Sequence, residues 1–181
     1  MTNTDDFIWR MVKGCIQLGV VPNINNTINM VPVDHVALCT SLAAVTRTSD
    51  DMRVLHMQAS PLRTFNSVLS ALSKYGYAVE GYVEWRLKLE RHAVEDNALF
   101  PLLHFVLDDL PTSTKAPELD DWNTRRLLVE EGERGGAKSV DDELMGKYLG
   151  WLVGAGYLPR PVSEKGLAVM SGVRASGRSG S

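Results

Sequence analysis

Cysteine is scarce in this sequence, occurring only as Cys15 and Cys39. Each falls on an apolar helix face, which fits reduced, buried thiols and a cytosolic setting better than a disulfide framework. The four histidines show no HxxxH spacing, so a metal site of known type is not expected. No apolar run approaches the roughly 20 residues of a spanning helix, and the N-terminus lacks the charged-then-apolar form of a signal peptide. No excess of basic charge exists either. Lys and Arg number 19 against 22 Asp and Glu, a net charge of −3, and no basic stripe with interleaved aromatics marks a nucleic-acid surface.

Catalytic signatures are equally sparse. There is no G-x-S-x-G elbow and no Walker loop. Gly154-Ala-Gly156 is the nearest approach to a dinucleotide turn, but it follows a helix and has Pro159 where a third glycine belongs. Tyr82 is followed four residues later by Arg86, which stays protonated and cannot act as a tuned relay, so the pair reads as surface. Asp120-Asp121 reads as a helix cap. Asp108-Asp109 ends a helix against its dipole, which implies a basic partner such as Arg125 or Arg126. Taken alone, these residues describe a folded scaffold without its own catalytic set.

What is present suits one domain of 181 residues with a substantial core. Its organising stretch runs from Leu18 to Ala37, an Asn-rich connection between two helices. Pro22, Asn23, Asn25 and Asn26 favour turns, Ile28 to Val33 reads as extended, and Asp34 is placed to cap the next helix. Such a loop is a candidate pocket wall, while the plain reading is a surface connection whose Asn residues serve the backbone.

Thr4 caps the first helix, whose apolar residues from Phe7 to Leu18 recur at helical spacing until Gly19 stops it. A second helix carries Val36, Ala37, Thr40, Ala43 and Ala44 on one side. Thr46 to Asp51 reads as a polar turn. Arg53 to Ala59 reads as a buried strand, and Pro61 opens a helix that buries Phe65, Val68, Leu69 and Leu72 before Tyr75-Gly76-Tyr77. A further short strand is expected near Gly81 to Trp85. Alternation of this kind argues for an α/β unit.

The remainder reads as helical. Glu84 to Val94 is charged and amphipathic, and Asn97 to Leu110 is apolar nearly all round, so it is buried or covers something. A loop from Pro111 to Asp121, a short helix from Trp122 to Glu131 and a break from Gly132 to Lys138 follow. Ser139 and Asp142 resemble a capping box for a last helix, which buries Leu144, Tyr148, Trp151 and Leu152 and carries Gly146, Gly150 and Gly154 for close packing. Residues 161–181 are expected to be a disordered tail.

Several long motifs, in one order, resemble a known family. Asp5-Asp6-Phe7, Lys13-Gly-Cys-Ile-Gln-Leu-Gly19, Pro22-Asn-Ile-Asn-Asn-Thr27 and Asn29-Met-Val-Pro-Val-Asp-His-Val-Ala37 are similar to the C-terminal part of the thioester-reductase domain of the fungal L-2-aminoadipate reductases. Lys74-Tyr-Gly-Tyr77, Tyr82-Val-Glu-Trp85, Pro101 through Pro111, Ala116 through Asp121 and Tyr157-Leu-Pro159 continue the match, which covers roughly residues 2–160.

The resemblance implies an extended short-chain dehydrogenase-like fold, α/β and predominantly helical. Residues 1–160 would be its substrate-side C-terminal lobe, with 1–83 the α/β part and 84–160 the helical part. It also implies NADPH as cofactor, a phosphopantetheine arm carrying the aminoadipyl thioester, and release of the semialdehyde in lysine biosynthesis. The family's Gly-rich cofactor turn and its catalytic Tyr and Lys map upstream of Met1, so the nucleotide-binding part is expected to be absent and the chain inactive without an upstream half. His35 is expected to pack at a helix start, and Leu99 to Leu110 to roof the lobe. Asn23, Asn25, Asn26, Met30, Val31 and Pro32 are the expected substrate-binding residues, since amide side chains both donate and accept. The alternative is a non-catalytic helical interaction module or truncated remnant. No nucleic acid or membrane partner is expected.

Overall fold

The structure is a computed structural model that describes residues 3–46, 54–92, 96–110, 116–130, 132 and 138–160. The expected tail, the turn from 47 to 51 and most of the break after Gly132 lie outside the described residues. Helices dominate over short strands, as the predominantly helical α/β expectation required. The chain divides into two compact units. One comprises residues 1–26, 65–114 and 142–181, the other residues 27–64 and 115–141.

In the first unit, α1 (Phe7–Leu18) starts at Asp6 rather than Thr4. The Asp6 carboxylate accepts the Ile8 amide at 2.9 Å and satisfies an otherwise orphaned donor. Gly19 ends the helix in the left-handed region, φ 79°, as its position implied. The chain passes directly into strand β1 (Val20–Asn23), where a turn was expected. Pro22 fits because its fixed φ suits extended backbone. β1 pairs in parallel with β4 (Ala78–Gly81), Val20 opposite Ala78 and Asn23 opposite Gly81. The second strand thus ends where the sequence placed its start.

Around this pair, α3 (Phe65–Leu69) and the 3-10 turn Ser70–Tyr75 bury Phe65, Val68, Leu69 and Leu72, as the spacing predicted. Gly76, at φ 93°, stops that turn. Pro61 does not open the helix, which begins four residues later. Helix α4 (Tyr82–His92) follows β4 without a break and buries Trp85 and Leu89. The expected helix 97–110 is instead a 3-10 turn at Phe100–Leu102 and a π-helix at Phe105–Asp109. Its core contribution is Leu99, Val106 and Leu110, whereas Phe100 is exposed, so it is not an unpartnered apolar rod. Helix α6 (Asp142–Gly154) buries Met145, Leu149 and Leu152; of the expected face Leu152 is buried, while Leu144, Tyr148 and Trp151 are only half-buried. Ser139 lies three residues before it with its hydroxyl buried and unbonded, so it does not cap. A Cβ at Gly146 would find its nearest neighbour at 3.9 Å and one at Gly154 none within 4 Å, so close packing does not explain these two glycines.

In the second unit, α2 (Val33–Val45) is capped by Pro32, whose carbonyl accepts the His35 and Val36 amides, and Asp34 sits inside the first turn. Its buried residues are His35 and Cys39, while Ala37, Thr40 and Ala44 face solvent, reversing the expected face. Helix α5 (Trp122–Glu130) is capped by Asp120, whose carboxylate accepts the Trp122 amide at 2.9 Å. The segment 54–59 is not a strand. Side chains hold it: Asn29 bonds the Met57 carbonyl and the Ala59 amide, Asn123 the Val54 carbonyl, and Thr124 the His56 carbonyl. The two strands of this unit, β2 (Thr27–Ile28) and β3 (Arg63–Thr64), pair antiparallel.

Candidate functional site

Ligands of open parallel sheets bind beyond the carboxyl ends of the strands, where side chains leave the sheet and backbone groups point outward. In the first unit that edge is where Asn23 faces Gly81. Asn23 and Asn25 are exposed there, and Ile24 between them is buried. Asn26 turns inward instead, its side-chain nitrogen donating to the Leu110 carbonyl at 2.5 Å. Of the three expected polar residues, two therefore present free amide groups at the edge and the third serves the backbone.

Gly81 ends β4 beneath the Glu84 carboxylate, which lies where a Cβ on residue 81 would stand. Tyr82 is half-buried, and its hydroxyl donates to the carbonyls of Val106 and Leu107 at 2.9 and 3.0 Å. Burial pushes the Tyr82 phenol up, with Arg86 opposing and Asp108 and Glu90 reinforcing the shift. The phenol is thus engaged with backbone rather than poised as an acid, and the reading of Tyr82 as surface is corrected. Arg86 bonds Glu90 at 2.8 Å and faces Asp108 at 4.0 Å. Asp108 therefore has Arg86 as its partner; Arg125 and Arg126 pair with Asp121 and Glu130 instead.

The other expected residues belong to the second unit. Met30 and Val31 are half-buried and Pro32 is buried at the start of α2. The Met30 carbonyl accepts the Val140 amide at 3.3 Å. His35 is buried with its Nε2 3.7 Å from Cys39 Sγ, consistent with a packed helix-start residue. Among the described residues, no group of three or more His, Cys, Asp or Glu is placed to hold a metal. Among them, too, no helix is long and apolar enough to cross a membrane. The sequence reading missed the π-helix and its attachment to both strand ends, because long-range bonds to backbone carbonyls leave no local signal.

A parallel pair flanked by helices, with polar groups at its carboxyl edge, is an arrangement of the α/β class. The family described as Male sterility protein, an NAD-binding family, matches residues 1–40. The fold is similar to the terminal R domain from the myxalamid PKS-NRPS biosynthetic pathway, with a TM-score of 0.73 and 27% identity. That match covers 88% of this chain and 41% of that one.

In sequence the chain is 49% identical over 173 residues to the L-2-aminoadipate reductase of Schizosaccharomyces pombe, covering 90% of this chain. It is 40% identical over 181 residues to that of Saccharomyces cerevisiae, covering 94% of this chain. Over about nine-tenths of its length the chain is thus similar to one part of the L-2-aminoadipate reductases, as its motifs implied. It spans about 12% of the length of the first of these relatives and 13% of the second.

Proposed function

We propose that the chain is the substrate-side portion of an NADPH-dependent reductase. In this reading it helps release an L-2-aminoadipyl thioester, carried on a phosphopantetheine arm, as the semialdehyde in lysine biosynthesis. The observation that carries this reading is the match over nine-tenths of the chain to aminoadipate reductases, with Asn23 and Asn25 exposed at the carboxyl edge of its parallel pair. A nicotinamide cofactor supplies the hydride when bound. Exposed side-chain amides fit its carboxamide and the pantetheine amides equally, because each donates and accepts. In this reading Asn23 and Asn25 orient those groups, and Asn26 supports the strand end behind them.

The reading places the protein in the cytosol, where buried free thiols such as Cys15 and Cys39 stay reduced. It also requires the rest of such a reductase, since the stretch matched is about 12% of the first relative's length. The test is NADPH oxidation with aminoadipyl-carrier as substrate, by the chain alone and mixed with the separately expressed preceding part of a relative's reductase domain. Turnover in the mixture and none with either part alone is the expected result. Turnover by the chain alone would overturn its role as a portion of the site, and no turnover in any mixture would overturn the reductase reading.

A further inference from the structure

Helix α2 is apolar on nearly every side, yet only His35 and Cys39 of its 13 residues are buried. A helix of that composition belongs inside a fold. Val33 and Val45, at its two ends, are 78% and 74% exposed. Ala37, Thr40 and Ala44 are exposed between them. Positions 33, 37, 40 and 44 fall on one stripe at helical spacing. Asp34 is the helix's one carboxylate and the helix has no Lys or Arg, so the stripe carries no charge. The Thr40 hydroxyl donates to the Val36 carbonyl at 2.8 Å, so its proton is spent within the helix. Small side chains along the middle of the stripe allow a close approach, since side-chain size sets the distance between packed elements.

A second observation in the same unit points the same way. Residues 54–59, Val-Leu-His-Met-Gln-Ala, have the composition of a strand. Among the described residues, however, no backbone–backbone hydrogen bond reaches them. Asn123, Thr124 and Asn29 bond the carbonyls of Val54, His56 and Met57, and Asn29 also the Ala59 amide. The half-buried Leu55 has neither its amide nor its carbonyl among these bonds. Half-buried backbone groups of that kind call for a partner. In α/β folds the helix that precedes a strand covers the sheet which that strand joins. Helix α2 and residues 54–59 have that order in the chain.

The fold comparison indicates what covers them. The similarity to the R domain spans 88% of this chain but 41% of that one. A domain is built around a shared core, so more than half of such a domain has to pack on the part matched here.

We propose that the exposed stripe of α2, together with residues 54–59, is the docking face for the remainder of an R-domain-like reductase. That remainder lays an apolar sheet face on Val33, Ala37, Thr40 and Ala44 and adds a strand at Leu55. The proposal rests on the reductase reading and deepens it by naming the surface through which the two parts assemble.

The test mixes the full 181-residue chain with the preceding part of the reductase domain of the Schizosaccharomyces pombe relative, without cofactor or thioester. Sedimentation follows binding, and hydrogen–deuterium exchange locates it. In the complex the amides of α2 and Leu55 should exchange at least about tenfold more slowly. Ala37→Arg and Ala44→Arg should each weaken binding by about tenfold or more, because each sets an unpaired charge in an apolar contact. Their urea midpoints should match the wild type, since both positions are exposed. Ala44→Ser should bind as the wild type does. Unchanged binding in both arginine variants, or binding with no slowing at α2 and Leu55, overturns the docking face and leaves the reductase reading standing. Binding that persists with no turnover once NADPH and the thioester are added overturns the reductase reading alone. A dimer of the chain that Ala44→Arg dissolves and the added part does not displace would make a second copy the occupant and overturn the proposal. Failure of the wild type to bind overturns both.

Discussion

Leu99 lies directly over Gly14, its Cγ 2.5 Å and its Cδ1 2.7 Å from where a Cβ on residue 14 would stand. Gly14 is in the middle of α1, where glycine normally weakens a helix by about 1 kcal/mol relative to Ala. The cost is accepted because Leu99, fully buried, packs on bare backbone, with Asn97 holding it by accepting the Leu99 amide at 2.9 Å. The blocking atom is the branch carbon of a buried residue and cannot swing away. Gly14→Ala should therefore destabilise by roughly 1–2 kcal/mol, overpacking outweighing the gain in helix propensity. Gly154→Ala, with open space around it, should be neutral or stabilise by up to about 1 kcal/mol. Urea unfolding of the two variants checks the contrast.

The Asn26 side chain is buried and its amide donates to the Leu110 carbonyl. Asn26→Ala should cost about 1–3 kcal/mol, the range for removing one partner of a buried hydrogen bond. Asn23→Ala and Asn25→Ala should change stability by less than about 0.5 kcal/mol, because both side chains are exposed. If the site reading holds, the second and third should still impair NADPH oxidation in the reconstituted mixture. Chemical denaturation and turnover, measured on the same three variants, separate the structural Asn from the other two.

Local signals were read correctly where the chemistry is local. Gly19 and Gly76 stop helical segments because both adopt positive φ, and Asp120 caps α5 through its own side chain. The apolar spacing of Phe65, Val68, Leu69 and Leu72 named a true core face. The failures have a different source. Val54 to Ala59 has the composition of a strand, but its partners are the side chains of Asn29, Asn123 and Thr124, which no periodicity announces. Helix α6 is apolar on adjacent faces, so Leu144 and Tyr148 compete on equal terms with Met145 and Leu149 until packing decides. At the candidate site, the exposed amides of Asn23 and Asn25 were legible as an Asn-rich loop. The strand–π-helix clamp was not, since it depends on Tyr82 meeting carbonyls more than twenty residues away.

The clamp of Asn29 on segment 54–59 gives its own prediction. One side chain supplies both an acceptor to the Ala59 amide at 2.7 Å and a donor to the Met57 carbonyl at 3.1 Å. Asn29→Asp keeps the acceptor and loses the donor, whereas Asn29→Ala loses both. With each hydrogen bond worth about 0.5–1.5 kcal/mol, the aspartate should lie between wild type and alanine in stability. Amide exchange at Ala59 should accelerate strongly in Asn29→Ala and only slightly in Asn29→Asp. Equal acceleration in both would show that the carboxamide does not hold this segment.

Cys15 is fully buried on α1, and desolvation pushes its thiol well above the usual range, with the Trp85 indole beside it a smaller opposing influence. Unfolding frees the thiol to ionise near its ordinary value of about 8.5. Below that pH both states keep the proton and the thiol has no effect on the pH dependence. Above it the unfolded state gives up a proton that the folded state retains, so stability falls as pH rises, by about 1.4 kcal/mol per unit for one such group. Cys39 is also raised by burial and contributes in the same direction. Between about pH 8.5 and 9.5, before unfolded tyrosines ionise, Cys15→Ala should flatten the decline by close to one thiol's share. The unfolding free energy of both proteins, followed across that window in a reducing buffer, measures the difference, and parallel curves would show that Cys15 ionises as readily folded as unfolded.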